Sequence, residues 1–216
     1  GTNTAFAGHT GSADAGLDLV VGAGGDKCNA LKDVYVDELR VYKKALTDAR
    51  VAELYDDVKE DVAPADALVL YTDFEEVVDG KVLDLSGYGN HGTIEGDVAF
   101  VGGSCVNGKG VAAYISNPVK NGAASWQYID FGKDASTQLG EGNFTISAWV
   151  KTEGGGAHDT AIFGNKDYSK GANQGIALNN QYGNADQHVC WNFTAAGGGR
   201  KDLRGMMGLD GEWHMQ

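Results

Sequence analysis

Glycine interrupts this chain at short intervals: 216 residues contain 33 glycines and only 2 prolines. Glycine readily adopts the positive φ angles that tight turns and bulges require. Between these turn signals lie short runs rich in β-branched and aromatic residues, the residue types that favour strands. No part of the sequence alternates strands with long helices, which disfavours an α/β fold. The pattern predicts an all-β fold of antiparallel β-sandwich type.

The best strand signal lies at residues 34–42. Strict strand alternation predicts two faces there, which consist of Val34, Val36, Glu38, Arg40 and Tyr42, and of Tyr35, Asp37, Leu39 and Val41. Neither face is purely apolar, so we expect specific partners for its polar groups. Other stretches with the same composition and turn-bounded length are predicted as strands: residues 67–71, 128–131, 144–150, 160–163, 175–178 and 188–193.

One short amphipathic helix is predicted near residues 47–58. Val51, Leu54 and Tyr55 recur at the spacing of one helix face. Thr47 precedes them and is a residue type that caps helix N-termini. The predicted fold is therefore an all-β sandwich with one short helix.

The negative net charge of the chain disfavours partners that are themselves negatively charged. There are 17 Lys plus Arg and 30 Asp plus Glu residues, so the net charge is 17 − 30 = −13. Such a chain repels phosphate backbones and anionic lipid surfaces, so we expect no nucleic-acid partner. No apolar run is long enough to cross a bilayer, so no membrane insertion is expected. The carboxylates either hold hard cations such as Ca²⁺ or simply keep the protein soluble.

The cysteines leave the redox compartment open. Cys28, Cys105 and Cys190 are far apart and form no CxxC or Cys/His metal pattern. Their odd number rules out a fully paired framework within one chain. Either one pair forms or all of them are buried free thiols.

Four stretches together resemble the laminin-G-like/concanavalin A-like lectin-glucanase family. Residues 36–47 (VDELRVYKKALT) are similar to the closing strand of such domains, and residues 70–75 with 83–92 (LYTDFE and LDLSGYGNHG) to their opening motif. Residues 143–151 (NFTISAWVK) resemble the central buried strand, and residues 210–214 (DGEWH) a strand start before a hairpin. The resemblance implies a jelly-roll β-sandwich.

The order of these motifs departs from the family. Residues 1–58 resemble the C-terminal part of one jelly roll, residues 59–66 a linker, and residues 67–216 the N-terminal part of a jelly roll whose C-terminal end is missing. Three explanations are open: a junction between tandem repeats, a circular permutation, or completion of each chain by a neighbour. Half a sandwich leaves an unpaired edge, so we expect the first part to close the second, within the chain or between chains.

The resemblance also implies a structural Ca²⁺ where the opening and closing motifs meet. Carried over to this sequence, the candidate ligands are Glu75, Asn90, Gly92 and Asp37, while Asp84 either ligates or orders the glycine loop, residues 86–92. Carboxylates and backbone carbonyls are the ligands that Ca²⁺ prefers. The alternative for Asp84 is a local turn in which its side chain bonds only nearby backbone N–H groups.

Two further features bear on ligands and catalysis. Trp126 and Tyr128 lie in a polar stretch, where they either stack on a sugar face or pack against the sandwich edge. Glycan-cleaving relatives of this fold use a Glu-x-Asp-x-x-Glu strand, and the nearest segment here, residues 95–100 (EGDVAF), lacks the last carboxylate. We therefore predict no enzymatic activity.

Three functions follow in order of support. The leading hypothesis is a secreted or cell-surface adhesion module that binds a glycan or an extracellular protein and is stabilised by Ca²⁺. The alternative is a structural repeat of an extracellular fibre or surface layer that self-associates with neighbouring copies. A glycan-cleaving enzyme on the same fold is the third, and it requires a complete carboxylate pair.

Overall fold

Short strands joined by turns make up most of the described chain. The computed structural model describes residues 13–27, 33–56, 67–103, 105–106, 108, 110–117, 126–152, 160–168, 173–180, 188–194, 199–208 and 210–216. In chain order the elements are β1 (Val20–Val21), β2 (Val34–Tyr42), α1 (Asp48–Asp56), β3 (Leu68–Thr72), β4 (Val77–Val78), β5 (Lys81–Val82), β6 (Gly92–Glu95), β7 (Ala99–Gly102), β8 (Val111–Ile115), β9 (Tyr128–Asp130), β10 (Thr145–Thr152), β11 (Thr160–Gly164), β12 (Gly175–Asn180), β13 (His188–Thr194), β14 (Lys201–Gly208) and β15 (Trp213–Met215).

These strands form two antiparallel sheets. The nine-stranded sheet has the order β14-β13-β12-β11-β1-β9-β6-β5-β4. The six-stranded sheet has the order β15-β10-β2-β8-β7, with β3 also paired to β2. Buried residues of both sheets share one hydrophobic core, in which Leu39, Phe74 and Phe163 are fully buried. The fold is therefore an all-β sandwich, as the glycine and strand patterns predicted.

Strand β2 lies in the middle of the six-stranded sheet. Along one edge it pairs with β10, from Tyr42 opposite Thr145 to Val34 opposite Thr152. Its other edge is shared, because β8 pairs with its first residues and β3 with its last. In the other sheet, β1 lies between β11 and β9. Strands β1 and β2, from the first part of the chain, therefore complete both sheets within the same chain. The predicted linker, residues 59–66, lies outside the described residues.

A bulge divides β2 and changes which side chains face the core. The register against β10 shifts between Ser147 and Trp149, and Glu38 has a φ of 51°. An extra residue at a bulge turns the following side chains to the opposite face. Val36 and Leu39 therefore both face the core, and the strict alternation predicted for residues 34–42 is wrong from Glu38 onward.

Helix α1 covers part of the outer face of the six-stranded sheet. Thr47 caps it, since its hydroxyl accepts a hydrogen bond from the Arg50 N–H at 3.3 Å. Leu54 packs in a second, smaller core with Tyr42 and Leu68. The helix occupies Asp48–Asp56 of the predicted range, and residues 57 and 58 lie outside the described residues. Among the described residues, no helix is long and apolar enough to span a membrane.

Candidate functional site

Asp37 occupies the gap between β8 and β3 along the edge of β2. β8 pairs only as far as Val36 and β3 begins its pairing at Leu39, so the bulge leaves Asp37 between them. Its side chain is buried, with 3% of the residue exposed. Oδ1 accepts a hydrogen bond from the Glu38 N–H at 2.9 Å, and Oδ2 accepts one from the Val106 N–H at 3.1 Å. The bulge thus aims a buried carboxylate at the loop between β7 and β8.

Glu75 binds where the same loop, residues 103–110, joins β8. Its Oε1 accepts a hydrogen bond at 2.8 Å from the N–H of Val111, the first residue of β8. Glu75 follows Phe74, which has a φ of 60° and is fully buried. A carboxylate from the predicted closing motif and one from the predicted opening motif therefore bind the same loop, which we name the β7–β8 loop.

The electrostatics of this site disfavour a bare anion at Asp37. The pKa of Asp37 is raised to about 7, from an ordinary value of 3.8, chiefly because the carboxylate is buried. The negative charges of Glu38 and Glu75 contribute to this rise, whereas the two backbone N–H donors oppose it. A buried carboxylate beside other carboxylates is relieved either by a proton or by a cation.

Asp84 and Asn90 form a separate cluster. Asp84 Oδ1 accepts hydrogen bonds from the N–H groups of Tyr71 (3.0 Å) and Ser86 (2.9 Å). Its Oδ2 accepts the Ser86 hydroxyl (2.8 Å) and the Asn90 N–H (2.9 Å). The carboxylate therefore orders the glycine loop through local bonds to Ser86 and Asn90, and it also ties that loop to Tyr71 of β3.

Asn90 and Gly92 contribute to packing around that loop. Asn90 Nδ2 donates to the Val69 carbonyl and to the Ser136 hydroxyl, both at 2.8 Å, and so joins β3 to a second loop. Gly92 lies in β6, where an added Cβ would meet Ile129 at 2.5 Å. No hydrogen bond among the described residues connects this cluster to Asp37 or Glu75.

Of the five predicted ligands, the structure brings Asp37 and Glu75 to one loop and leaves the others in the second cluster. Among the described residues, no group of three or more His, Cys, Asp or Glu side chains is arranged to hold a metal ion. A cation at the first site would therefore rely on these two carboxylates together with backbone oxygens. The β7–β8 loop itself was missed by the sequence reasoning, and its only local signal was a high glycine content.

A polar network lies on the outer face of the six-stranded sheet, and the sequence analysis expected partners for the polar groups of β2 without identifying them. Glu38 Oε2 accepts hydrogen bonds from Arg40 Nη2 at 2.7 Å and from the Tyr71 hydroxyl at 3.1 Å. The Arg40 guanidinium stacks over the Tyr71 ring, 4.4 Å from its centroid. Burial raises the pKa of Glu38, while Arg40 and Tyr71 oppose that rise. These contacts are the specific partners that the mixed faces of β2 required.

Trp126 and Tyr128, the predicted ligand-contacting aromatics, are both half-buried. The Trp126 indole Nε1 is buried and has no hydrogen-bond partner among the described residues. Tyr128 lies opposite Glu95 in the nine-stranded sheet, and Lys27 Nζ stands 5.3 Å from its ring centroid. Lys27 also forms an ion pair with Asp18 at 3.1 Å. The Tyr128 ring is therefore already packed against a charged group.

The described cysteines are thiols. Cys105, in the β7–β8 loop, and Cys190, in β13, are buried and form no disulfide. Cys28 lies outside the described residues.

The fold and this geometry define a two-sheet, all-β sandwich in which the β7–β8 loop contacts one buried carboxylate, Asp37, and adjoins an exposed one, Glu75. Neither a family model, nor a curated protein, nor a solved structure matches the chain. The laminin-G-like resemblance therefore rests on the motifs themselves.

Proposed function

We propose that the chain is a non-catalytic extracellular module of the laminin-G-like, concanavalin A-like jelly-roll kind. Its ligand is a glycan or an extracellular protein, and a structural Ca²⁺ stabilises it. One observation carries the proposal: Asp37 of the closing motif binds the β7–β8 loop at Val106, and Glu75 of the opening motif binds Val111, where the loop joins β8. That is where the resemblance implies the cation.

The donor set at this loop fits Ca²⁺ in its chemistry. Ca²⁺ takes oxygen ligands from carboxylates and backbone carbonyls, and it tolerates irregular geometry. Asp37 and Glu75 supply the charged oxygens, and the β7–β8 loop supplies the carbonyls. The bound cation would keep Asp37 ionised at neutral pH and hold the loop against β2. In this proposal Asp84 and Asn90 order the glycine loop and do not touch the metal.

Closure of the sandwich within one chain supports a self-contained module. The fibre hypothesis drew its support from the order of the motifs, which allowed a neighbour to complete each chain. In the structure β2 pairs with β10, β3 and β8 of its own chain. A donated strand is therefore not needed at the centre of this sheet.

The test is calorimetry with Ca²⁺ and with excess chelator, at two protein concentrations. Ligand binding to the folded state raises Tm by mass action. We expect Ca²⁺ to raise the Tm of the wild type and to leave the Tm of Asp37→Asn and Glu75→Gln unchanged. Asp97→Asn, which removes an exposed carboxylate elsewhere, is the matched control and should respond like the wild type.

Two results would contradict parts of the proposal. A wild-type Tm that is indifferent to chelator removes the Ca²⁺ site. A Tm that rises with protein concentration shows association of copies and favours the fibre subunit over the self-contained module.

A further inference from the structure

Three aromatic side chains and one lysine line up across neighbouring strands of the six-stranded sheet. Tyr114 of β8 lies opposite Tyr35 of β2, Tyr35 lies opposite Lys151 of β10, and Lys151 lies opposite Trp213 of β15. Their sequence neighbours Val34, Val36, Ala113 and Val150 face the core. The four side chains therefore project from the outer face, and we call them the aromatic row.

The row is held together by contacts between its own members. The rings of Tyr35 and Tyr114 are 4.7 Å apart between centroids, and those of Tyr35 and Trp213 are 6.5 Å apart. Lys151 Nζ lies 5.9 Å from the Tyr35 ring centroid. The Tyr114 hydroxyl donates to Asp33 Oδ1 at 2.8 Å, which fixes that end. Little side-chain entropy remains to be lost when a ligand binds.

Among the described residues, helix α1 covers the same face next to the row. Helix α1 places Leu54 in the small core with Tyr42, and Tyr55 stacks on Trp149 at 5.2 Å between ring centroids. All four members of the row remain partly exposed. The helix therefore limits the accessible surface to a strip.

We propose that the aromatic row binds a neutral glycan laid across β8, β2, β10 and β15. This inference rests on the proposed binding function and names the ligand class and its position. Sugar rings present apolar C–H faces that pack on aromatic rings and hydroxyls that hydrogen-bond with polar tips. Each member of the row combines an apolar body with a polar tip.

The size and charge of the row select this ligand over others. Three strand spacings of about 4.8 Å give a strip about 14 Å long and one side chain wide. A stable protein interface needs about 800 Å² per partner, far more than such a strip offers. The net charge of −13 disfavours a polyanionic glycan, whereas Lys151 can donate to neutral hydroxyls.

Affinity electrophoresis of the whole chain tests the proposal. Native gels containing Ca²⁺ would carry mixed-linkage β-glucan, xylan, galactomannan or pullulan, with hyaluronan and heparin as acidic comparisons. Trp213→Phe keeps a ring at the end of the row, and Trp213→Leu keeps apolar volume without a ring face. Tyr88→Ala removes an aromatic side chain that is 59% exposed on the glycine loop and serves as control. Melting curves confirm that each variant is folded.

We expect at least one neutral polysaccharide to retard the wild type. Trp213→Leu should weaken that binding about tenfold or more, while Trp213→Phe and Tyr88→Ala should bind nearly as well as the wild type. Binding that Trp213→Leu leaves unchanged would overturn the placement on the row and leave the proposed binding function standing. Retardation by the acidic polymers alone, or by none, would overturn the neutral-glycan ligand. A self-associating wild type that Trp213→Leu makes monomeric would replace the glycan with a second copy.

Discussion

The carboxylate of Asp37 accepts a hydrogen bond from the backbone N–H of Val106, which lies 69 positions later in the chain. This contact joins the first long strand to a loop of the later part of the sandwich. It forms where β2 bulges and where neither β3 nor β8 covers its edge. The stability of the β7–β8 loop and the ionisation of Asp37 are therefore coupled.

Without metal, stability should fall as pH rises through the range set by Asp37. Its pKa is raised from 3.8 to about 7 on folding. A raised folded-state pKa contributes stability that is present below the unfolded value and is lost as pH rises through the folded value. At 1.36 kcal/mol per pKa unit the contribution amounts to about 4 kcal/mol across this window.

Denaturant unfolding in chelator from pH 4 to pH 8 checks this dependence. Relative to the wild type, metal-free Asp37→Asn should gain stability progressively as pH rises. Asp97→Asn should follow the wild-type curve, because that side chain is exposed. Parallel curves for wild type and Asp37→Asn would show that Asp37 titrates normally.

Alanine at Gly110 should displace the Glu75 side chain. Gly110 has a φ of +86°, and an added Cβ would meet the carboxylate of Glu75, an exposed side chain that can move away only by giving up its hydrogen bond to the Val111 N–H. Gly103, with a φ of +71° and nothing within 4 Å of an added Cβ, is the matched control for backbone strain alone. We expect Gly103→Ala to cost about 1 kcal/mol in free energy of unfolding and Gly110→Ala about 2 kcal/mol, because the second variant also loses the Glu75 hydrogen bond.

A double mutant separates the two causes at Gly110. Glu75→Ala alone should cost about 1 kcal/mol, because it removes the hydrogen bond to Val111, but it should cost little further in the Gly110→Ala variant, where that bond is already lost. Equal losses for Gly110→Ala and Gly103→Ala would show that Glu75 does not contact the Gly110 backbone.

Asp84→Asn should destabilise the protein regardless of metal. The Asp84 carboxylate accepts four hydrogen bonds, and an amide group would turn an N–H₂ toward some of these donors. We expect a loss of about 2–3 kcal/mol, identical with Ca²⁺ and with chelator. Loss of the Ca²⁺ response in this variant would instead place Asp84 among the ligands.

Tyr71→Phe should test the network around Glu38. The Tyr71 hydroxyl donates to the partly buried Glu38 carboxylate, so its removal should cost about 1–2 kcal/mol. Tyr88→Phe removes an exposed hydroxyl and should change stability by less than about 0.5 kcal/mol. Urea titrations of both variants give the comparison, and equal effects would mean that the Glu38 bond contributes nothing.

The strands that could be predicted from the sequence were those whose own residues show a strand-like pattern of β-branched and aromatic side chains. The bounds of β2 matched the predicted residues 34–42. Its bulge could not be read from the sequence, because the positive φ falls on Glu38 and not on a glycine. Strand β14 was missed because its polar and glycine residues form a strand only by pairing with β13.

The candidate site was partly predictable for a similar reason. Asp37 and Glu75 stand in motifs with recognisable neighbours, so the resemblance could place them together. The separate position of Asp84 depends on where the N–H groups of Tyr71 and Asn90 point. The local turn at Asp84 was among the alternatives offered by the sequence, whereas the bond from Tyr71, 13 positions away, follows from tertiary structure alone.

The central place of β2 has a consequence for how the protein is made. One edge of β2 pairs with β10, which is synthesised much later. Next to this edge, the Thr152 hydroxyl donates a hydrogen bond to the Asp33 carbonyl, 119 positions away in the chain. Strand β2 can pair with β3 and β8 first, but this edge stays unpaired until β10 has been synthesised. Folding dominated by such distant pairings is slow, and the apolar residues of β2 remain incompletely covered in the meantime.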